Sequence, residues 1–352
     1  MSRRKPASID SAIVGRGSAS RMPGRYATRA CISEEMPTAP ETTVSEEQVR
    51  SIISRNASPD IPFEQSINPY RGCEHGCIYC YARPTHAWLG LSPGLDFESR
   101  LVAKTDAADV LTRELSSPGY VVKPITLGAN TDPYQPIEKQ RRITRKLLKV
   151  MLDFRHPVVI VTKSALVLRD IDLIKALARR GLCRVALSIT TLDPSLKRIM
   201  EPRTASPARR LACGEELVAS GVAVSLLLAP IIPAINDHEI EAIVAAAKAA
   251  GFASAGYVLL RLPHEVAPLF QQWLQTHFPD RAGHVMSLVR QTRGGKNYDA
   301  QFGQRQSGTG PVAAMIRQRF RRATRMHALD RPGPELRCDR FRDPGDSQIA
   351  LF

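Results

Sequence analysis

The chain has 352 residues, 43% of them hydrophobic, and a formal net charge of +15; this is enough for one large domain with extensions, or two small ones, around a sizeable core. No uninterrupted apolar run reaches the length of about 18 residues that a membrane span needs, and the longest candidate, Val222 to Ile235, is broken by Ser225 and two prolines. A basic excess of this size suits a polyanionic partner, most simply nucleic acid.

Residues 1 to about 50 are rich in Ser, Pro, Gly and Arg and poor in large apolar side chains. They read as a mostly disordered basic arm, or one ordered on contact. Met1 to Lys5 is basic but no apolar stretch follows it, so a secretory signal is not expected. The character changes at Ser51, and a short strand is expected at Ser66 to Tyr70.

Directly after it come Cys73, Cys77 and Cys80, spaced C-x3-C-x2-C. A [4Fe–4S] cube ordinarily takes four thiolates, so three leave one iron open to an outside ligand. The competing reading is a structural zinc with His75 or His86 as fourth ligand. Such sites usually pair one short knuckle with a second, and none follows here. Cys31, Cys183, Cys213 and Cys338 stand singly, and seven cysteines is an odd number, which places disulfides last. Free thiols and an oxygen-sensitive cluster both suit a reducing, cytoplasmic compartment.

From Val121 a rhythm sets in. Val121 to Leu127 is an apolar strand stopped by Gly128, and Ile143, Leu147 and Met151 then mark an amphipathic helix. The β-branched run Val158 to Thr162 is the next strand, followed by a helix from about Asp170 that ends at Gly181. Arg184 to Ile189 is a strand, Ser206 and Pro207 open a helix closed by Gly221, and Val222 to Leu228 is a strand. Asp237 is expected to cap a helix that runs to Gly251, and Tyr257 to Leu260 is the last strand before a helix over Val266 to His277. Near-continuous apolar strands alternating with helices indicate a parallel sheet. With the strand before Cys73 this makes six β/α units over roughly 65–280, a pattern that a doubly wound sheet also satisfies. The remainder, 281–352, carries 14 Lys/Arg against 6 Asp/Glu, with Arg317, Arg319, Arg321, Arg322 and Arg325 on one short helical stretch. Gln291 to Pro311 reads as a lid or a linker. Three regions result: a basic arm (1–50), a core (51–280) and a basic C-terminal extension (281–352).

In parallel α/β barrels the active site gathers at the C-terminal strand ends. The polar residues there are Tyr79 and Tyr81 beside the cysteines, Thr131 and Asp132, Lys163, and Ser188 with Thr190 and Thr191. Glu201, Pro202, Arg203 and Thr204 form a further polar group or merely a helix entry.

The run Tyr70-Arg71-Gly72-Cys73 on to Cys80 resembles the cluster loop of the radical S-adenosylmethionine (radical SAM) enzymes. Cys77 to Tyr81, Asn130 to Tyr134, Thr162-Lys163, the Ser188 strand end and Glu201 to Arg203 resemble in particular the branch that contains spore photoproduct lyase. Gly15-Arg16-Gly17 and Gly24-Arg25-Tyr26 are similar to an uncharacterised bacterial family within it. The likeness covers about 55–265. It implies a six-unit partial (β/α)6 TIM barrel with a helical C-terminal extension. It also implies a [4Fe–4S] cluster on Cys73, Cys77 and Cys80, with the amine and carboxylate of S-adenosylmethionine (SAM) on the fourth iron. Tyr79 would flank the adenine with Tyr81 beside it, Thr131 and Asp132 would stand in for the absent Gly-Gly-Glu segment, Lys163 would face the SAM carboxylate, and Ser188 the ribose or carboxylate. The implied reaction is cleavage of SAM to a 5′-deoxyadenosyl radical, with an electron donor such as flavodoxin or ferredoxin and hydrogen abstraction from a substrate that the resemblance does not supply; the basic charge is what points to nucleic acid. Spore photoproduct lyase carries a hydrogen-donating cysteine in the loop after its second strand. Here that loop reads Gly128 to Asp132 without a thiol, so photoproduct repair itself is not expected. The alternative reading is a metal-stabilised nucleic-acid-binding protein without catalysis.

Overall fold

The computed structural model describes residues 13–27 and 40–346. Among the described residues there are ten strands: β1 (Thr43–Glu47), β2 (Ser54–Arg55), β3 (Gln65–Ile67), β4 (Tyr70–Arg71), β5 (Arg100–Lys104), β6 (Ile125–Leu127), β7 (Val158–Thr162), β8 (Cys183–Ser188), β9 (Ala223–Ile231) and β10 (Ser254–Leu259). Seven of them form one sheet in the order β10-β9-β8-β7-β6-β3-β2. From β3 to β10 every pairing in it is parallel, and β2 alone pairs antiparallel. Helices Ala107–Leu115, Ile143–Asp153, Ile171–Ala178, Pro207–Ala219 and Ile240–Ala249 connect the parallel strands. The result is an α/β fold with a mostly parallel sheet.

The apolar runs dictate this order. Val158, Ile160, Val185, Leu187, Val224, Leu226 and Leu228 are fully buried, and they meet Leu147, Ile174, Leu177, Leu217 and Ile243 from the helices. Burying each such side chain contributes roughly 1.5–3 kcal/mol. Ser206 accepts the Arg209 N–H and Pro207 fills the first turn, as the sequence predicts. Gly128 has φ +93, and a Cβ there would run into the Val161 carbonyl. Only glycine lets the β6 loop lie so close to β7.

Four expectations are corrected. Val121 to Pro124 makes no ladder, and the strand begins at Ile125. Tyr70 leaves the main sheet and pairs with Ala103 in a second, three-stranded sheet of order β1-β5-β4. Asp237 lies inside the turn that opens the Ile240–Ala249 helix, where its carboxylate accepts the Ala234 N–H at 2.7 Å, rather than at the cap. The arm is also not mostly disordered over its described part. Thr43–Glu47 is strand β1, parallel to β5, while Gly17 and Ser18 donate backbone N–H groups to the Glu98 carboxylate at 2.9 Å. The rest of the arm, with Cys31, lies outside the described residues.

The C-terminal region closes the β10 edge. Its helix Gly310–Met326 buries Ala313, Ile316, Phe320 and Ala323, and the Phe320 ring sits 4.7 Å from that of Tyr257. Ala255 N–H donates to the Leu329 carbonyl and Leu259 N–H to the Gln306 carbonyl, both at 2.9 Å. The segment before the helix is pinned by Arg293, whose guanidinium donates to the carbonyls of Leu259, Leu260, Gln304 and Arg305. It is pinned again by Arg305, paired with both oxygens of Asp60 at 2.8 and 2.6 Å. Asp60 lies between β2 and β3, at the far edge of the sheet. One ion pair thus spans the two edges.

Candidate functional site

The three cysteines lie on the loop after β4. Gly72, with φ +76, turns the chain there against His86, Phe97 and Leu101, and Cys73 N–H donates to the Phe97 carbonyl at 2.8 Å. A buried guanidinium organises the rest of the loop. Arg83 donates to the carbonyls of Cys77, Gly76, Pro93 and Gly94 and pairs with Glu98, both side chains being wholly buried. Glu74 ties the other end: its N–H donates to Gln135, and its carboxylate accepts from Ile137 N–H and Thr42 hydroxyl and faces Arg203.

Cys73 and Cys77 are buried and Cys80 nearly so. Burial pushes the Cys77 thiol up to about 12, against the pull of Lys163. It raises the Cys73 thiol as well, helped by Asp132 and by the neighbouring Cys77 and Cys80. Three thiols crowded into a low-dielectric loop are poor thiolates unless a metal centre takes their charge, which a coordinating metal does outright. The donor set is therefore one that suits a metal cluster. Among the described residues no three His, Cys, Asp or Glu side chains gather to hold a single ion. The alternative of a metal-stabilised, non-catalytic nucleic-acid-binding protein finds no support.

Glu201 is the hub between this loop and the sheet. It is wholly buried and accepts from the Tyr79 hydroxyl, from Thr190 Oγ1 at 2.7 Å and from Arg210. Burial would raise its carboxyl, but Arg210, Lys163 and these hydrogen bonds outweigh burial and hold it down to about 2. Ile78 N–H also donates to the Met200 carbonyl, and Arg203 N–H to the His75 carbonyl.

The predicted site residues divide into two groups. Tyr79, Tyr81 and Lys163 cluster around the cysteine loop. Lys163 Nζ stands 5.9 Å above the Tyr79 ring, and Cys77, Glu201 and Asp132 favour its charged form over the cost of burial. Tyr81 donates its hydroxyl to the Ala129 carbonyl after β6 and carries Arg261, after β10, 5.0 Å above its ring. Thr131, Asp132 and Ser188 spend their polar atoms on the protein. Thr131 Oγ1 donates to the Tyr70 carbonyl. Asp132 accepts from Thr162 Oγ1 at 2.7 Å, Lys163 N–H at 2.8 Å and Tyr134 N–H at 2.9 Å, and lies 3.2 Å from His75 Nδ1. Ser188 Oγ donates to the Ala229 carbonyl at 3.2 Å.

Sequence reasoning missed Arg83, Glu98 and Arg261, which carry no motif. Only the position of Arg261 just past an apolar run marked it. Cys338 lies at the opposite end of the sheet, since Arg337 N–H donates to the carbonyl of Gly181, which precedes β8, and Arg342 N–H to that of Phe154, which precedes β7.

A parallel sheet with three cysteines on one loop at its C-terminal strand ends defines a class of cluster-dependent enzyme. The sequence profile of the radical SAM superfamily matches residues 67–247, just over half of the chain, and the chain belongs to that superfamily. Membership brings a [4Fe–4S] cluster and SAM as cofactors. An uncharacterised protein of Mycobacterium tuberculosis is 34% identical over 232 residues, covering 65% of this chain and 68% of that one. An uncharacterised protein of Methanocaldococcus jannaschii is 34% identical over 173 residues, covering 49% of this chain and 62% of that one. Among solved structures, a mutant spore photoproduct lyase superposes with a TM-score of 0.56 at 16% identity, covering 86% of both chains. A spore photoproduct lyase complexed with a dinucleoside spore photoproduct gives 0.55 at 16% identity, covering 81% of this chain and 79% of that one. No helix among the described residues is long and apolar enough to cross a membrane.

Proposed function

We propose that this chain is a radical SAM enzyme acting on nucleic acid, with Cys73, Cys77 and Cys80 on three irons of a [4Fe–4S] cluster and the fourth iron left to SAM. The observation that carries this reading is the buried three-cysteine loop held against the C-terminal strand ends. When bound, the cluster supplies the electron that splits SAM into methionine and a 5′-deoxyadenosyl radical, drawn from a small electron-transfer protein. The chain binds, orients and shields. Lys163 offers its cation to the SAM carboxylate, and the Tyr79 ring, fixed by Glu201, flanks the adenine. Thr131, Asp132 and Ser188 position the loops that carry these groups. The contact from Tyr81 to both Ala129 and Arg261 supports a sheet curled into a partial (β/α)6 barrel, because β6 and β10 are four places apart in the strand order. The basic excess and the dinucleoside photoproduct named for a structural neighbour support nucleic acid as substrate. Repair by a loop thiol is not proposed, since Gly128 to Asp132 has none and Cys338 is at the other end.

Anaerobic reconstitution tests the cluster assignment. About four irons and four sulfides per chain are expected, with an electron paramagnetic resonance signal of the reduced protein that changes when SAM is added. Cys73→Ala, Cys77→Ala and Cys80→Ala should each abolish the signal, and Cys338→Ala should not. Full cluster loading in Cys77→Ala would reject the ligand set.

A further inference from the structure

Arginines at the mouth of the sheet are almost all satisfied within the chain. Arg83 has Glu98, Arg210 has Glu201, Arg203 has Glu74 and Arg305 has Asp60, while Arg293 is held by four backbone carbonyls through its Nη atoms, although its Nε is buried without an acceptor. Arg261 is different. It follows β10, the last strand of the parallel sheet, and among the described residues it pairs with no carboxylate. Among the described residues its one hydrogen bond runs from Nη2 to the Tyr298 hydroxyl at 3.3 Å, and its buried Nε has no acceptor there. The guanidinium stands over two rings, 5.0 Å from the centroid of Tyr81 and 6.0 Å from that of Tyr298. Tyr81 directly follows the proposed ligand Cys80 and is 42% exposed.

We propose that Arg261, with Tyr81 and Tyr298, is the substrate subsite of this mouth and takes a backbone phosphate of single-stranded nucleic acid; this rests on the function proposed above. A guanidinium is a planar fork of five donors that matches phosphate oxygens in pairs, and a buried donor with no acceptor costs free energy until a ligand supplies one. The two tyrosines hold the fork and offer faces on which a neighbouring base stacks. Charge beside aromatic faces is the recurring solution for single strands. The other anion that could reach this mouth is the SAM carboxylate. Lys163 on the β7 end already faces that position beside Cys77, three places from β10 in the strand order.

The test is fluorescence anisotropy of a labelled oligodeoxythymidylate of about 12 nucleotides on the cluster-loaded, unreduced protein, across a salt series. Arg261→Gln should weaken binding about tenfold at low salt and make the plot of log K against log salt shallower by about 0.7, the loss of one phosphate contact. Tyr298→Leu should weaken binding with the slope unchanged, and Arg261→Lys should keep the slope, which separates charge loss from misfolding. Wild-type affinity and slope in Arg261→Gln would overturn the proposal. So would loss of SAM affinity in that variant, by calorimetry, with oligonucleotide affinity intact, because the anion would then be SAM's own carboxylate. The readout involves no reduction or SAM cleavage, so a chain that binds the oligonucleotide through Arg261 yet makes no radical would sink the enzymatic reading alone.

Discussion

Glu201 shows how much a single side chain holds. Its carboxylate joins the cysteine loop through Tyr79, the β8 end through Thr190 and the Pro207–Ala219 helix through Arg210. A buried ion pair of this kind is a poor source of net stability, but removing one partner is costly, at about 3–5 kcal/mol. The carboxyl is held down to about 2 from its ordinary 4.5. A depressed folded value means that the stabilisation is present above about 4.5 and is lost as pH falls towards 2, roughly 3 kcal/mol over the full range. Urea unfolding of wild type and Glu201→Gln between pH 7 and pH 3 checks this, because acid loss of the cluster is common to both. The variant should be the less stable at pH 7, with the gap narrowing below about pH 4.5; a gap constant with pH would contradict the assignment. The sequence pointed at Glu201 only as a strand-end polar group or a helix entry. Its role needs Tyr79, 122 positions away, and no local pattern encodes that.

At the scale of elements, legibility followed burial on both faces. Strands β7, β8 and β9 lie inside the sheet and read as apolar runs, so each was evident with its helix. The small sheet was not. Strand β1 has exposed and half-buried residues only, and Arg100–Lys104 begins and ends on a charge, so neither rises above a loop in composition. Likewise Ser66 to Tyr70 reads as one strand, yet Asn68 and Pro69 break it, and Tyr70 pairs with β5 instead. The stretch before the last helix read as lid or linker because its contacts are guanidinium to carbonyl and carboxylate, with no apolar periodicity. Arg305 and Asp60 are nearly buried and carry that closure. Asp60→Asn should raise amide hydrogen exchange across residues 300–309 several-fold while protection in β7 and β8 stays unchanged, since strap opening is a local event. Unchanged exchange across 300–309 would show that Arg293 alone secures the strap.

At the scale of the whole molecule, the proposed site groups among the described residues gather at one end. The C-terminal strand ends carry Lys163, Ser188 and Arg261, with the cysteine loop set against them by Arg83, Glu74 and Glu201; the other end carries Cys338 and the Phe341 packing. The cysteine spacing alone made the cluster legible, because three thiols in one short run have few other uses. What the radical attacks was not, because the surface that would receive a substrate is assembled from β10, the cysteine loop and the C-terminal segment. The most direct test of the account is the yield of 5′-deoxyadenosine from SAM by the reconstituted, dithionite-reduced protein under strict anaerobiosis. Continued production over time is expected, with none from Cys73→Ala, Cys77→Ala or Cys80→Ala. A fully loaded, reduced protein that binds SAM and yields no 5′-deoxyadenosine would contradict it.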